Sequence, residues 1–115
     1  MADDAATVAD AYFTSWRTRD FAALRPLLAD EVHYAGPLAE HGSADAVAGA
    51  LEAVADIMVD LVVRKVFVSG DDVLTWFDLH TSVADPTPVA NWMRVEHGQI
   101  TSLRAVYDPR GLTGA

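Results

Sequence analysis

What most constrains this chain is the separation of its two periodicities. The first half carries apolar residues at helical spacing and the second half carries them at strand spacing. Helical and strand segments that do not alternate imply an α+β domain, with helices gathered against an antiparallel sheet, rather than an alternating α/β fold. Ala9, Phe13 and Trp16 fall at i, i+4 and i+7, and Val8 and Tyr12 widen that stripe, so a helix is expected from about Ala5 to Arg19. Asp3 and Asp4 stand where negative charge suits a helix N-terminus. Asp20 breaks the run and can cap a second short helix, Phe21 to Leu28, which Pro26 would kink. Glu31 to Gly36 reads as a short strand and Pro37 to Gly42 as a loop. Ser43 is a good N-cap for a third helix, in which Val47, Leu51 and Val54 share a face.

The second half is rich in β-branched residues. Val59 to Ser69 is the first long strand, and Gly70-Asp71-Asp72 turns the chain into a second, Val73 to Thr81. Asp85-Pro86-Thr87-Pro88 is a loop, since proline cannot donate to a ladder. Pro88 to Glu96 and Ile100 to Tyr107 are two further strands joined by a tight turn at His97-Gly98, and Asp108-Pro109 ends the last. The expectation is three helices, one early strand and a four-stranded meander. A long curved sheet wrapped over helices makes a cone with a pocket inside.

Composition narrows the possible functions. A chain of 115 residues is about one domain, here 1–115, and 51% hydrophobic residues suit a packed core. The absence of cysteine excludes disulfides and thiolate chemistry. Seventeen acidic residues against eight basic ones give a net charge of −9, and Lys65 is the single lysine. Such a chain is repelled by phosphate backbones and anionic membranes, so neither nucleic acid nor membrane is an expected partner. No segment approaches the ~18 apolar residues of a membrane helix. The start, Met1-Ala2-Asp3-Asp4, is acidic where a secretory signal is basic, so the cytoplasm is the expected compartment. There is no His-x-x-x-His pattern or acidic ligand cluster for a metal, and no glycine-rich nucleotide loop or Gly-x-Ser-x-Gly elbow, so no cofactor is expected.

Several segments stand in a telling order: Tyr12-Phe13 through Arg19-Asp20-Phe21, then Leu27 to Val32, then Gly36-Pro37 ahead of Gly42, then Val95 to Ile100, and finally Tyr107-Asp108-Pro109-Arg110. Together they resemble the SnoaL-like and nuclear transport factor 2-like superfamily, which includes ketosteroid isomerase and limonene-type epoxide hydrolases. The resemblance covers nearly the whole chain and rests on order and spacing. It implies a cone fold, a pocket between sheet and helices, and a homodimer through the outer face of the sheet. It implies no single reaction, because one fold hosts many. Against ketosteroid isomerase, Tyr12 falls on the oxyanion-donating tyrosine and Asn91 on its partner donor, but Gly36 stands where the general-base carboxylate belongs. Against the epoxide hydrolases, Asp108 resembles the final aspartate of an Asp–Arg–Asp set. There Asp78 is displaced by one position and Phe77 stands nearest the arginine. Against SnoaL-type cyclases, Asp108, or Asp78 with His80, resembles the acid–base aspartate and its histidine.

The strand Val73–Thr81 offers two faces, one with Val73, Thr75, Phe77, Leu79 and Thr81, the other with Leu74, Trp76, Asp78 and His80. Matching the resemblance turns the second face inward. Asp78 and His80 would then form an acid–base pair about 7 Å apart along the strand, with Trp76 as an apolar wall. In the opposite arrangement Asp78 and His80 are solvated and Phe77 and Leu79 are core. Tyr12 and Asn91 are the expected polarising groups, although Tyr12 can also be a core aromatic. Asp108 is either catalytic or the start of the turn at Pro109. Met93, Leu103, Ala105 and Tyr107 are expected to line the walls with Trp76. One of His33 and Tyr34 must face inward, in a structural role. His41 and His97 are expected at the surface, and Arg17, Arg19 and Arg25 on a solvated face. The outward face, with Phe77, Leu79 and Trp92, would be the exposed apolar patch that a two-fold dimer buries. The reading is a small-molecule-binding protein for an apolar ligand, either a cofactor-free isomerase, cyclase or epoxide hydrolase, or a non-catalytic binding or dimerisation module.

Overall fold

Three short polar side chains start the helices. In this computed structural model, which describes residues 4–113, Asp4 accepts from the Thr7 N–H at 2.8 Å, Asp20 from Ala23 at 3.1 Å and Ser43 from Ala46 at 3.2 Å. Each satisfies an orphan donor of a first turn. The helices they open are α1 (Ala5–Arg17), α2 (Phe21–Leu24) and α3 (Ala44–Ala55). Asp3 lies outside the described residues. Pro26 shortens the second helix: the α-helical turn stops at Leu24 and a 3₁₀ turn, Arg25–Leu27, takes its place. Proline has no N–H for the α-helical ladder but fits early in a new turn.

The C-terminus of α1 is closed by a Schellman motif. The Asp20 N–H donates to Ser15 O at 2.8 Å and the Arg19 N–H to Trp16 O at 3.1 Å, with Arg19 left-handed at φ 61°. Glycine usually takes that position. The Arg19 side chain makes use of it, donating to Ala55 O at the end of α3 and to Met58 O three residues further on. Arg25 pairs with Asp45 at 3.0 Å and Asp30 at 3.3 Å. Arg17 and Arg19 are exposed, as expected of a solvated face, and Arg25 is half-buried; Arg19 and Arg25 in addition bond to specific partners.

Six strands make one sheet. They are β1 (Leu28–Ala35), β2 (Glu40–His41), β3 (Met58–Ser69), β4 (Asp72–Thr81), β5 (Thr87–Glu96) and β6 (Gln99–Val106), in the order β2-β1-β6-β5-β4-β3. The meander β3–β6 is antiparallel as expected, and β1 joins β6 in parallel. The short β2 is additional to the expected elements; it pairs with the end of β1 within the segment read as a loop. His97 and Gly98 both have positive φ (54° and 74°), the conformation of a type I′ hairpin turn. A fourth helix, α4 (Arg110–Thr113), follows the sheet.

The helices cover the inner face of the sheet. Val8, Tyr12, Phe13 and Trp16 of α1 and Val47 and Leu51 of α3 are buried against Val73, Phe77, Val89, Met93 and Leu103. The Phe13 and Phe77 rings lie 5.1 Å apart, and Trp16 Nε1 donates to Leu51 O at 3.0 Å, tying α1 to α3. No helix among the described residues is long and apolar enough to cross a membrane.

This packing decides the orientation of β4. Val73, Thr75, Phe77, Leu79 and Thr81 are buried and face the helices, while Leu74 and Trp76 are exposed and Asp78 and His80 half-buried on the outer face. The strand is thus turned opposite to the orientation taken from the resemblance. The more uniformly apolar face is the one that α1 can bury.

Candidate functional site

A cavity of about 300 Å³ opens between the inner face of the sheet and the helices. Tyr12 and Trp16 of α1, Val47, Ala50, Leu51 and Val54 of α3, and Leu112 of α4 form one side. Phe77, Leu79, Val89, Asn91, Ala105 and Tyr107 form the sheet side, and Tyr34 and His41 the β1–β2 end. Side chains two apart on a strand share a face, which is how Phe77 with Leu79, Val89 with Asn91, and Ala105 with Tyr107 arrive together.

Tyr12, Asn91, Ala105 and Tyr107 thus meet around one cavity. Met93 and Leu103 also face inward, but they belong to the closed core and do not line it. Trp76, Asp78 and His80 do not converge with them. Asp78 accepts from Arg64 Nε at 2.8 Å on the outer face, and His80 sits there beside Asp60 of β3. Asp108 begins the turn at Pro109, where its carboxylate accepts from the Arg110 backbone N–H at 3.0 Å and from its guanidinium at 2.6 Å. Those bonds hold its pKa down at about 2. The expected outer patch changes in the same way: Phe77 and Leu79 are interior, and Trp92 alone of the three faces out.

Two contributors to the site depart from the sequence-based expectation. Tyr34 is the inward member of the His33–Tyr34 pair, and His41 lines the cavity instead of the surface. The two are cross-strand partners, with rings 5.9 Å apart and inclined by 29°. Gly36 explains how Tyr34 lies. A Cβ at Gly36 would stand 2.5 Å from Tyr34 Oη, so the tyrosine occupies space that any other residue would fill. Tyr34 and Gly36 are two apart along the chain, and that spacing of an aromatic with a glycine is the signal the sequence offers. Where the resemblance puts a missing carboxylate, the chain holds a phenol.

The electrostatics are those of a neutral site. Burial, with Tyr34 nearby, drives the Tyr12 hydroxyl far above the ordinary phenol pKa. Burial and the neighbouring Tyr107 push Tyr34 up to about 12, and burial also raises Tyr107. All three stay protonated at neutral pH and can donate. Asn91 is only 4% exposed, and its Oδ1 is buried without a partner among the described residues. The described residues that line the cavity include no carboxylate and no lysine or arginine. The arrangement can hold an apolar body and hydrogen-bond a polar group on it.

The model of the SnoaL-like domain matches residues 9–103. The chain belongs to the SnoaL-like family. Among solved structures, this SnoaL-like domain is similar to a protein of Kribbella flavida, at 27% identity and a TM-score of 0.89 over 94% of this chain and 89% of that one. An NTF2-like protein of unknown function from Cytophaga hutchinsonii superposes with a TM-score of 0.86 at 23% identity, over 98% and 97% of the two chains. An LEH-like epoxide hydrolase of M. tuberculosis superposes with a TM-score of 0.78 at 18% identity, over 94% and 85%; at that identity the likeness is one of fold. Among the curated proteins none matches the sequence.

Proposed function

We propose that this SnoaL-like domain binds a small, largely apolar, uncharged molecule in the cavity between α1, α3 and the sheet. One observation carries the reading: a cavity of about 300 Å³, walled by apolar side chains, onto which a few neutral hydrogen-bonding groups converge. That volume lies at the lower end of the range for small-molecule sites. Burying apolar ligand surface supplies affinity at roughly 25 cal/mol per Å². Tyr12, Asn91, Tyr34 and Tyr107 supply orientation. The Asp78–His80 acid–base scheme has no support from the inner face, and binding without turnover is the reading we favour. A catalytic role would fall to His41, which lines the cavity against Tyr34.

The test is to fill the cavity. Ala50→Phe adds a ring from α3 and is expected to abolish binding of an apolar probe such as naphthalene, followed by NMR shifts of cavity-lining residues. Binding that persists undiminished would place the ligand elsewhere and end the proposal.

We also propose that two copies associate through the outer face. Phe67, Leu74 and Trp92 are cross-strand neighbours there, beside Trp76 and Val106. These five are 46 to 71% exposed, a larger contiguous apolar surface than scattered exposed residues make. Ion pairs of both signs border it, Arg94 with Asp72 and Glu96 on one side and Arg64 with Asp78 on the other. Such a patch can be self-complementary about a two-fold axis.

A further inference from the structure

The two edges of the sheet are unequal. One ends in the two-residue β2; the other ends in β3, twelve residues long, and no strand among the described residues pairs with its far side. The N–H and C=O groups of alternate residues point to that side, so it presents a row of backbone donors and acceptors. The first half of the strand is blunted. The Met58 carbonyl accepts from Arg19, the Leu61 N–H donates to the Asp60 carboxylate at 2.8 Å, and the pairing with β4 slips between Val63 and Lys65. Irregularities of this kind turn an edge away from further pairing. Past the slip the strand is regular: Lys65 to Ser69 pair one by one with Trp76 to Asp72, and all five are exposed. Val66 and Val68 are 49% and 51% exposed, although Thr75 and Val73 opposite them are buried. Lys65 forms no ion pair among the described residues, while its neighbour Arg64 is taken by Asp78.

We propose that Lys65–Ser69 receives an extended segment of another protein as a seventh strand, one that carries a carboxylate opposite Lys65. Each feature of the edge specifies one feature of the partner. The open backbone row requires an extended chain with free N–H and C=O groups. Val66 and Val68 are two apart and share a face, so the partner presents small or β-branched side chains at the same spacing. A single lysine on an edge discourages indiscriminate pairing, and a carboxylate turns that obstacle into a preference. Five residues of pairing is an ordinary strand length. The site is separate from the cavity, and it lies beside the outer apolar face without needing it, because Val66 and Val68 stand on the inner side.

The probe is a blocked heptapeptide of alternating valine and threonine with one glutamate near its C-terminal end, where an antiparallel strand meets Lys65. It is titrated into the intact chain at physiological ionic strength and followed by NMR shifts and amide hydrogen exchange. The expected result is that shifts concentrate on β3 and that amides within Lys65–Ser69 exchange about tenfold more slowly at a peptide concentration of ten times Kd. Methylating the amide nitrogens of the peptide keeps its side chains and removes its donors, and should abolish binding. Lysine in place of the glutamate should weaken binding about threefold, and Lys65→Glu should reverse the order of the two peptides. No binding, shifts centred away from β3, or equal binding of the methylated peptide overturns the proposal. A charge preference that Lys65→Glu leaves unchanged overturns it as well. Protection of the same amides that rises with chain concentration in the absence of peptide would give the edge to a second copy and likewise overturn it. The methylated and unmethylated peptides are compared on the unaltered chain, so the question is decided even if the variant fails to fold.

Discussion

Gly36 and Tyr34 show how much one missing methyl group can set. The tyrosine ring fills the place of a side chain at Gly36 and from there reaches His41 and Tyr107. Gly36→Ala would drive a carbon to within 2.5 Å of Tyr34 Oη, and overpacking of this kind costs about 1–3 kcal/mol. The expected outcome is a loss of that size in denaturant unfolding together with weaker binding of apolar probes. Adding Tyr34→Ala to that variant should recover most of the loss attributable to the clash, read as a coupling energy in a double-mutant cycle. No coupling would mean that the two residues do not meet. Arg19 is a second case in which local preference yields to a specific bond: its left-handed backbone is unfavourable for arginine, and its guanidinium bonds the Ala55 and Met58 carbonyls where α3 gives way to β3. Neither relation is visible along the chain, because Ala55 and Met58 lie more than thirty residues from Arg19.

Among the elements, the helices can be read from their caps and the strands only from their extent. Asp20 and Ser43 are recognisable because capping chemistry is local. Ser43→Ala removes the acceptor for Ala46 N–H and should destabilise the protein by about 1 kcal/mol in chemical denaturation; an unchanged midpoint would show that the first turn of α3 is held by packing alone. The period of β4 is equally evident, but its facing is not. Both of its faces carry large apolar residues, Phe77 and Leu79 on one and Leu74 and Trp76 on the other. A shift of one position reverses every side chain, so an alignment with relatives can invert the strand without disturbing its pattern. What settles the facing is the partner layer: Phe13 and Trp16 of α1 pack on Phe77. On the outer side, Arg64 meets Asp78.

At the scale of the whole molecule, the sheet has two apolar faces and, among the described residues, one layer of helices. The inner face carries the core and the cavity. The outer face carries Phe67, Leu74, Trp76 and Trp92, with Arg104 stacked over Trp92 at 5.7 Å. The proposed dimer predicts a light-scattering mass of twice the 12.4 kDa of one chain. Trp92→Asp should return it to the mass of one chain, because the substitution buries a charge at the centre of the interface. A monomeric unaltered chain at high micromolar concentration would remove that partner from the outer face.

The segregation of helical and strand periodicity carried the α+β class, and residue order and spacing carried the SnoaL-like resemblance and the approximate extent of α1, α3 and the meander. These depend on neighbours along the chain, whose preferences act without a fold. The convergence of Tyr12 and Asn91 on a cavity was expected only through the resemblance. The exclusion of Asp78 and His80, the arrival of His41 through the two-residue strand β2, and the laying of Tyr34 over Gly36 could not be read along the chain. Each depends on which surface comes to cover which. A strand or helix exposes its pattern in the sequence, but the partner that buries one side of it arrives from a distant segment.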